Sequence, residues 1–122
     1  MYHTIIIVGA LGKNPELRYT PAGKAVCNMS VAVDDGYGDK KKTVWFRVTA
    51  WDKTAENVNQ YLKKGSSVLV EGRMNADENG GPRIWEKDGQ ARASYEVTAS
   101  VVRFLGGKSE PKQDEDFGDF DF

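Results

Sequence analysis

The sequence predicts an all-β fold with one short helix, and three observations support this expectation. The segment TVWFRVTAW, residues 43 to 51, alternates apolar and polar side chains with the period of two that is typical of a half-buried strand. A helical pattern occupies one stretch, residues 52 to 65. The chain also contains 13 glycines and 4 prolines in 122 residues, a composition that favours turns and strands over long helices.

Five strands are predicted along the chain, and each shows an apolar face. They cover His3 to Gly9, about Ala25 to Val33, 43 to 51, 67 to 74, and about Arg92 to Phe104. The segments between them are rich in glycine and charged residues, so we expect turns there, with residues 77 to 90 forming a long hairpin loop.

The helix is predicted after the third strand, because apolar residues there recur at helical spacing: Ala55, Val58, Tyr61 and Leu62. We expect Asp52 or Thr54 to cap its start. Gly65 suits a left-handed exit after two lysines in the last turn.

Three strands, a helix and two strands is the order of the oligonucleotide/oligosaccharide-binding (OB) fold, a five-stranded, partly open barrel. An antiparallel sandwich is the structural alternative, and the helical pattern argues against it. We therefore predict one OB-fold domain over residues 1–107, followed by a short disordered acidic tail over residues 108–122.

The composition also limits the class of protein. The apolar opening IIIVGALG is too short to span a bilayer and has no basic leader, which predicts a cytoplasmic protein that does not bind membranes. Cys27 alternates with apolar residues and is expected in the core. With one histidine, His3, and one cysteine, the chain cannot assemble a His/Cys metal site, so we expect no metal, no cofactor and no catalysis.

Charge is segregated along the chain, although the formal net charge is −1. Residues 1 to 108 carry 16 Lys and Arg against 12 Asp and Glu, a net charge of +4. Residues 109 to 122 carry one lysine against six acidic residues, a net charge of −5. The net charge of −1 therefore conceals a basic body followed by an acidic tail.

The polar face of the third strand has the chemistry of a nucleic-acid surface. Trp45 and Trp51 lie on it with Arg47 between them. A protein that binds single-stranded nucleic acid needs aromatic side chains that stack on the unpaired bases and cations that contact the phosphates. This face has both, which predicts single-stranded nucleic acid as the ligand. The two indoles are about 20 Å apart at strand rise, so each would stack on a different nucleotide. The alternative is that a neighbouring subunit covers them.

Other aromatic and basic residues extend this surface. The candidates in the loops and the fourth strand are Tyr37, Lys40, Lys41, Lys42, Arg83, Trp85, Lys87, Lys13, Arg18, Lys24 and Arg73. Three further aromatic residues, Phe46, Tyr61 and Tyr95, are expected in the core.

Two blocks, IIIVGALGKNPELRYTPAGKAV and WFRVTAWDKTAENVNQYLKKGSSVLVEGRM, resemble the bacterial-type single-stranded DNA-binding protein family, over nearly all of residues 3 to 106. The resemblance implies an OB barrel that forms a homotetramer and wraps single-stranded DNA without sequence preference. It places stacking aromatics at Trp45, Trp51 and Trp85, with Tyr37 where a tryptophan is common. Asn14 stands where aspartate is usual, and Trp51 where phenylalanine is frequent.

The resemblance also implies that the acidic tip docks replication and repair proteins. Here the usual long linker is almost absent, and the tip reads DEDFGDFDF. A terminal carboxylate with aromatic neighbours suits a basic-rimmed apolar pocket on a partner. The docking residues expected are Phe117, Asp119, Phe120, Asp121 and Phe122. The alternative is an acidic end that only competes with DNA for the basic surface.

Two functional alternatives remain at this stage. An RNA-binding barrel would use the same stacking aromatics, because stacking does not read the sugar. A protein-interaction module would use the aromatic strand for assembly.

Overall fold

The computed structural model of the chain describes residues 1–106. Within this range it contains seven strands and one helix. Their bounds are Ile5–Leu11 (β1), Glu16–Tyr19 (β2), Ala25–Asp35 (β3), Lys42–Trp51 (β4), Asp52–Tyr61 (α1), Ser67–Met74 (β5), Arg83–Lys87 (β6) and Gln90–Phe104 (β7). A single 3₁₀ turn, Gly38–Lys40, precedes β4. The predicted domain boundary and the acidic tail lie outside the described residues.

Five strands close into a barrel, which confirms the predicted OB fold. β1 pairs with β5, β5 with β7, β7 with β4, and β4 with β3. A short pairing of Ala10 with Ala32 and of Leu11 with Val31 returns β3 to β1 and completes the circle. The β4–β7 pair is parallel and the others are antiparallel. β2 adds to the edge of β3, and β6 forms a hairpin with β7.

Two glycines permit close backbone approach in the barrel wall. A Cβ at Gly9 would collide with the carbonyl oxygen of Ala32, where β1 crosses β3. A Cβ at Gly72 would collide with the carbonyl oxygen of Thr98, at the β-bulge between Glu71 and Gly72. Bulges and missing side chains let a strand bend sharply, so these positions allow closure.

The core fills the barrel and is covered at one end by α1, which contributes Ala55 and Val58. Cys27 is fully buried, as predicted. Burial raises the pKa of its thiol, because the thiolate would lose its hydration. The predicted core position of Phe46 is also confirmed, since its half-buried ring packs against this cluster.

The prediction that Tyr61 and Tyr95 belong to the core is wrong. Their side chains are 52% and 55% exposed. Tyr61 lies at the last turn of α1 with its ring 5.8 Å from that of Phe104. Tyr95 lies where β7 leaves the barrel towards the hairpin, with its ring 5.6 Å from that of Phe46. Both rings therefore extend the core at its margins and stay open to solvent on one side.

The helix is shorter than predicted, and neither of the predicted N-terminal caps, Asp52 or Thr54, is present. It ends at Tyr61, because Leu62 adopts an extended conformation and is buried there. No side chain caps the start, and Asp52 itself has a φ of 57°. Gly65 has the expected left-handed conformation, with a φ of 91°.

No helix among residues 1–106 has the length and apolar character needed to cross a membrane.

Candidate nucleic-acid interface

The alternation predicted for β4 is present. Trp45 and Trp51 are 53% and 39% exposed, and Arg47 between them is exposed as well. On the other side of the same strand, Val48 and Ala50 are buried. β4 thus presents two indoles and a guanidinium on one side of the barrel. We call this side, with the residues that neighbouring strands add to it, the aromatic face.

The strand register shows which predicted cations share the aromatic face. Trp51 lies opposite Val26, which lies opposite Arg18 on β2. Thr49 lies opposite Thr98, which lies opposite Arg73 on β5. Directly paired residues project from the same side of a sheet, so Arg18 and Arg73 flank the tryptophans of β4.

Trp45 is positioned by the turn after β1. The outer carbons of its six-membered ring lie over Gly12, so that a Cβ built there would be 2.5 Å from Cζ3 and 2.6 Å from Cη2. Lys13, which follows Gly12, is exposed. The turn therefore packs against the Trp45 ring, and the residue that follows the contact is an exposed cation.

The ammonium group of Lys24 lies near the ring of Trp51. The Nζ atom of Lys24 lies 6.0 Å from the centroid of the Trp51 ring. This separation is at the limit of a cation–π interaction. Lys24 is exposed, so its ammonium remains accessible beside the ring.

The third tryptophan lies on the β6–β7 hairpin, within the segment predicted to be a loop. Asp88 and Gly89 close this hairpin, with φ values of 54° and 79°. Positive φ at both central residues is the mark of a type I′ turn, for which Asp-Gly is a preferred sequence. Residues 77 to 90 are therefore only partly loop.

One side of the hairpin carries the predicted residues Arg83, Trp85 and Lys87, since they alternate along β6. The guanidinium carbon of Arg83 lies 4.8 Å from the centroid of the Trp85 ring. Arg92 on β7 lies opposite Trp85. Sequence reasoning missed Arg92, although the alternation of polar residues from Gln90 to Thr98 could have revealed it.

β7 connects the hairpin to the barrel on the same side. Arg92, Ser94, Glu96 and Thr98 alternate along it, and Glu96 lies opposite Arg47 of β4. The side of the hairpin that bears Trp85 is therefore continuous with the side of β4 that bears Trp45 and Trp51. All three indoles belong to one surface.

Paired polar side chains line the aromatic face between the indoles. The Thr49 hydroxyl donates to Asn28 Oδ1 at 3.1 Å, and the Thr98 hydroxyl donates to Asn75 Oδ1 at 2.8 Å. These hydrogen bonds orient the polar side chains of the aromatic face.

Among residues 1–106 there is no cluster of three His, Cys, Asp or Glu side chains arranged to hold a metal ion.

The loop before β4 is less uniform than the lysine run suggests. Tyr37 and Lys40 are exposed. Lys41 forms an ion pair with Asp34 at 3.4 Å. Lys42 begins β4 on the side of Val44, opposite the side of Trp45. Tyr37 and Lys40 are open to a ligand, Lys41 is partly neutralised, and Lys42 projects from the opposite side of β4.

Comparison with known proteins agrees with this architecture. The model of the single-strand binding protein family matches residues 2–105. Two curated relatives named single-stranded DNA-binding protein, from Neisseria meningitidis serogroups A and B, are each 40% identical over 111 residues. The match covers 87% of this chain and 61% of each relative, so the chain spans about three fifths of the relatives' length. The chain belongs to the single-strand binding protein family.

Proposed function

We propose that the chain binds single-stranded DNA without sequence preference and protects it, without catalysing a reaction. The observation that carries this proposal is the exposure of Trp45 and Trp51 on one side of β4 with Arg47 between them. Exposed aromatics suit stacked bases, and each such base contributes about 1 to 3 kcal/mol. The family match and the names of the relatives support DNA as the ligand.

In this proposal the ligand follows the aromatic face from the β1–β2 turn to the hairpin. Trp45, Trp51, Trp85 and Tyr37 stack on bases. The cations available for phosphates are Lys13, Arg18, Lys24, Arg47, Arg73, Arg83, Lys87, Arg92 and Lys40. Stacking and phosphate contacts do not read base edges, which is why we infer tolerance of sequence.

A titration of tryptophan fluorescence tests the proposal. Unstructured single-stranded DNA, RNA of the same sequence and duplex DNA are added in separate experiments. We expect strong quenching with single-stranded DNA, and binding that weakens as salt rises, because phosphate contacts release counterions. Equal or tighter RNA binding would favour an RNA-binding barrel. No quenching by any of the three would refute nucleic-acid binding.

We further propose that copies of the chain assemble into a homotetramer, as the resemblance to the family implies. The side of β1 and β5 that faces away from the core carries Ile6, Val8 and Leu69. Ile6 is 60% exposed in the single chain. Apolar side chains grouped on a strand surface are typical of an interface. The mass in solution tests this, and a monomer at working concentration would contradict it.

The acidic tip is proposed to dock replication, recombination or repair proteins in the cytoplasm. Its support is chemical: three phenylalanines alternate with carboxylates up to the terminal residue of this sequence. Deleting residues 114 to 122 should abolish capture of partner proteins and leave DNA binding intact or slightly tighter. If pull-downs are unaffected by the deletion, the docking proposal fails.

A further inference from the structure

An acidic side chain lies within the aromatic face, at the base of the β6–β7 hairpin. Glu96 projects from β7 between Ser94 and Thr98, opposite Arg47. A carboxylate in this place repels a polyanion. Its presence on a surface otherwise suited to phosphates calls for a physical explanation.

The contacts of Glu96 join it to the hairpin. Its Oε2 atom accepts a hydrogen bond from the Ser94 hydroxyl at 2.8 Å and one from Nη1 of Arg83 at 3.4 Å. The Arg83 guanidinium also lies over the Trp85 ring. Arg83 is thus held between a carboxylate and an indole.

The two partners differ in how firmly they are held. The backbone carbonyl of Glu96 accepts a hydrogen bond from the backbone N–H of Asn75 at 2.7 Å, and the Glu96 side chain is 24% exposed. The Arg83 side chain is 53% exposed and lies on a two-stranded hairpin. An exposed ion pair is weak and readily exchanged, so Arg83 can leave Glu96 when a stronger anionic partner arrives.

We propose that Glu96 is a positioning residue: it holds Arg83 against Trp85 in the free protein and competes with a backbone phosphate of bound DNA for the same guanidinium. This inference rests on the proposed function. When a phosphate takes Arg83, it must displace the carboxylate or lie beside it, and both cost electrostatic energy. Glu96 therefore lowers affinity while keeping Trp85 and Arg83 ordered for binding.

The test is a double-mutant cycle with an oligodeoxythymidylate as the probe. Glu96→Gln keeps an acceptor for Ser94 and removes the charge. We expect it to tighten binding about twofold to fivefold, the range of an exposed ion pair. In an Arg83→Gln background the same change should give little gain. Glu86→Gln is the matched control, because Glu86 is exposed on the other side of the hairpin.

A second readout needs no DNA. In a variant whose only tryptophan is Trp85, made by Trp45→Phe and Trp51→Phe, Glu96→Gln should shift the emission of the free protein. Glu86→Gln should leave that emission unchanged. Glu86→Gln removes a charge close to the same ring, so a shift that occurs only with Glu96→Gln reports release of Arg83 from the ring.

Three outcomes overturn this inference. They are an equal gain in both Arg83 backgrounds, weaker binding by Glu96→Gln, and an unchanged Trp85 emission. Failure of the proposed function is distinguishable, because then the unmodified chain itself would not bind the oligonucleotide.

Discussion

The six-membered ring of Trp45 lies over Gly12, at a separation that leaves no room for a Cβ. A side chain at position 12 would meet Cζ3 of the indole at 2.5 Å. The obstacle is the outer end of a side chain that can rotate, in contrast to the backbone carbonyls opposed to Gly9 and Gly72. A substitution at Gly12 can therefore change the interface without disrupting the barrel.

Gly12→Ala should displace the Trp45 ring and weaken single-stranded DNA binding. The loss should not exceed the contribution of one stacked base, about 1 to 3 kcal/mol. The thermal unfolding midpoint should change little, because the indole can move towards solvent. Gly81→Ala is the control, since a Cβ there meets nothing within 4 Å. Affinity equal to that of the control would show that Trp45 does not need its present position.

Trp51→Ala should cost about 1 to 3 kcal/mol of single-strand affinity without unfolding the domain, because the lost indole is a partly exposed stacking plate. Trp51→Phe should retain most of the affinity, since the smaller ring still offers a face. Tyr61→Ala serves as the aromatic control, because Tyr61 is an exposed aromatic residue at the end of α1 whose ring lies beside that of Phe104. Binding isotherms recorded with a labelled oligonucleotide measure the affinity of each variant. An unchanged isotherm for Trp51→Ala would show that Trp51 is not part of the site.

Much of the barrel was predictable because long strands carry a strong period-two signal. β5 was predicted at residues 67–74, its observed bounds, and β4 within one residue. β2 has four residues and sits among turn residues, so its pattern is too short to detect. β6 escapes prediction for another reason: its five residues lie between the glycines at 80–81 and the Asp-Gly turn at 88–89, so that the pattern of residues 77 to 90 indicates one long loop.

The site was predictable where it depends on alternation within a strand, as for Trp45, Arg47 and Trp51. Contacts between distant segments were not, because no local pattern encodes them. Gly12 beneath Trp45 is one example. Another is Asn14, whose Oδ1 accepts a hydrogen bond from the Lys64 amide at 2.8 Å. An aspartate would offer the same acceptor oxygen, which supports the expectation that this departure from the family pattern is minor.

Cys27 predicts a specific pH dependence of stability. Its pKa is raised in the folded chain by burial, so the unfolded chain loses the thiol proton first as pH rises. The stabilisation from Cys27 is therefore complete below the usual thiol pKa of about 8.5 and declines above it. The decline is at most about 1.4 kcal/mol per pH unit. Denaturant unfolding of Cys27→Ala from neutral to alkaline pH should show a smaller decline, and parallel curves would contradict the prediction.

Arg47 should carry one phosphate contact, because it lies between Trp45 and Trp51 on the exposed side of β4, and the backbone of a strand stacked on both rings would pass it. Arg47→Gln should therefore weaken binding of all sequences about equally and reduce the slope of log affinity against log salt by about one contact. Arg47→Lys is the matched control: it keeps the charge, so the slope should be retained even if affinity falls. Fluorescence titrations across a salt series measure both slopes. A slope for Arg47→Gln equal to that of the unmodified chain would show that Arg47 makes no ionic contact with a phosphate. The phosphate path would then be expected along Arg18 and Arg73, at the edges of the face.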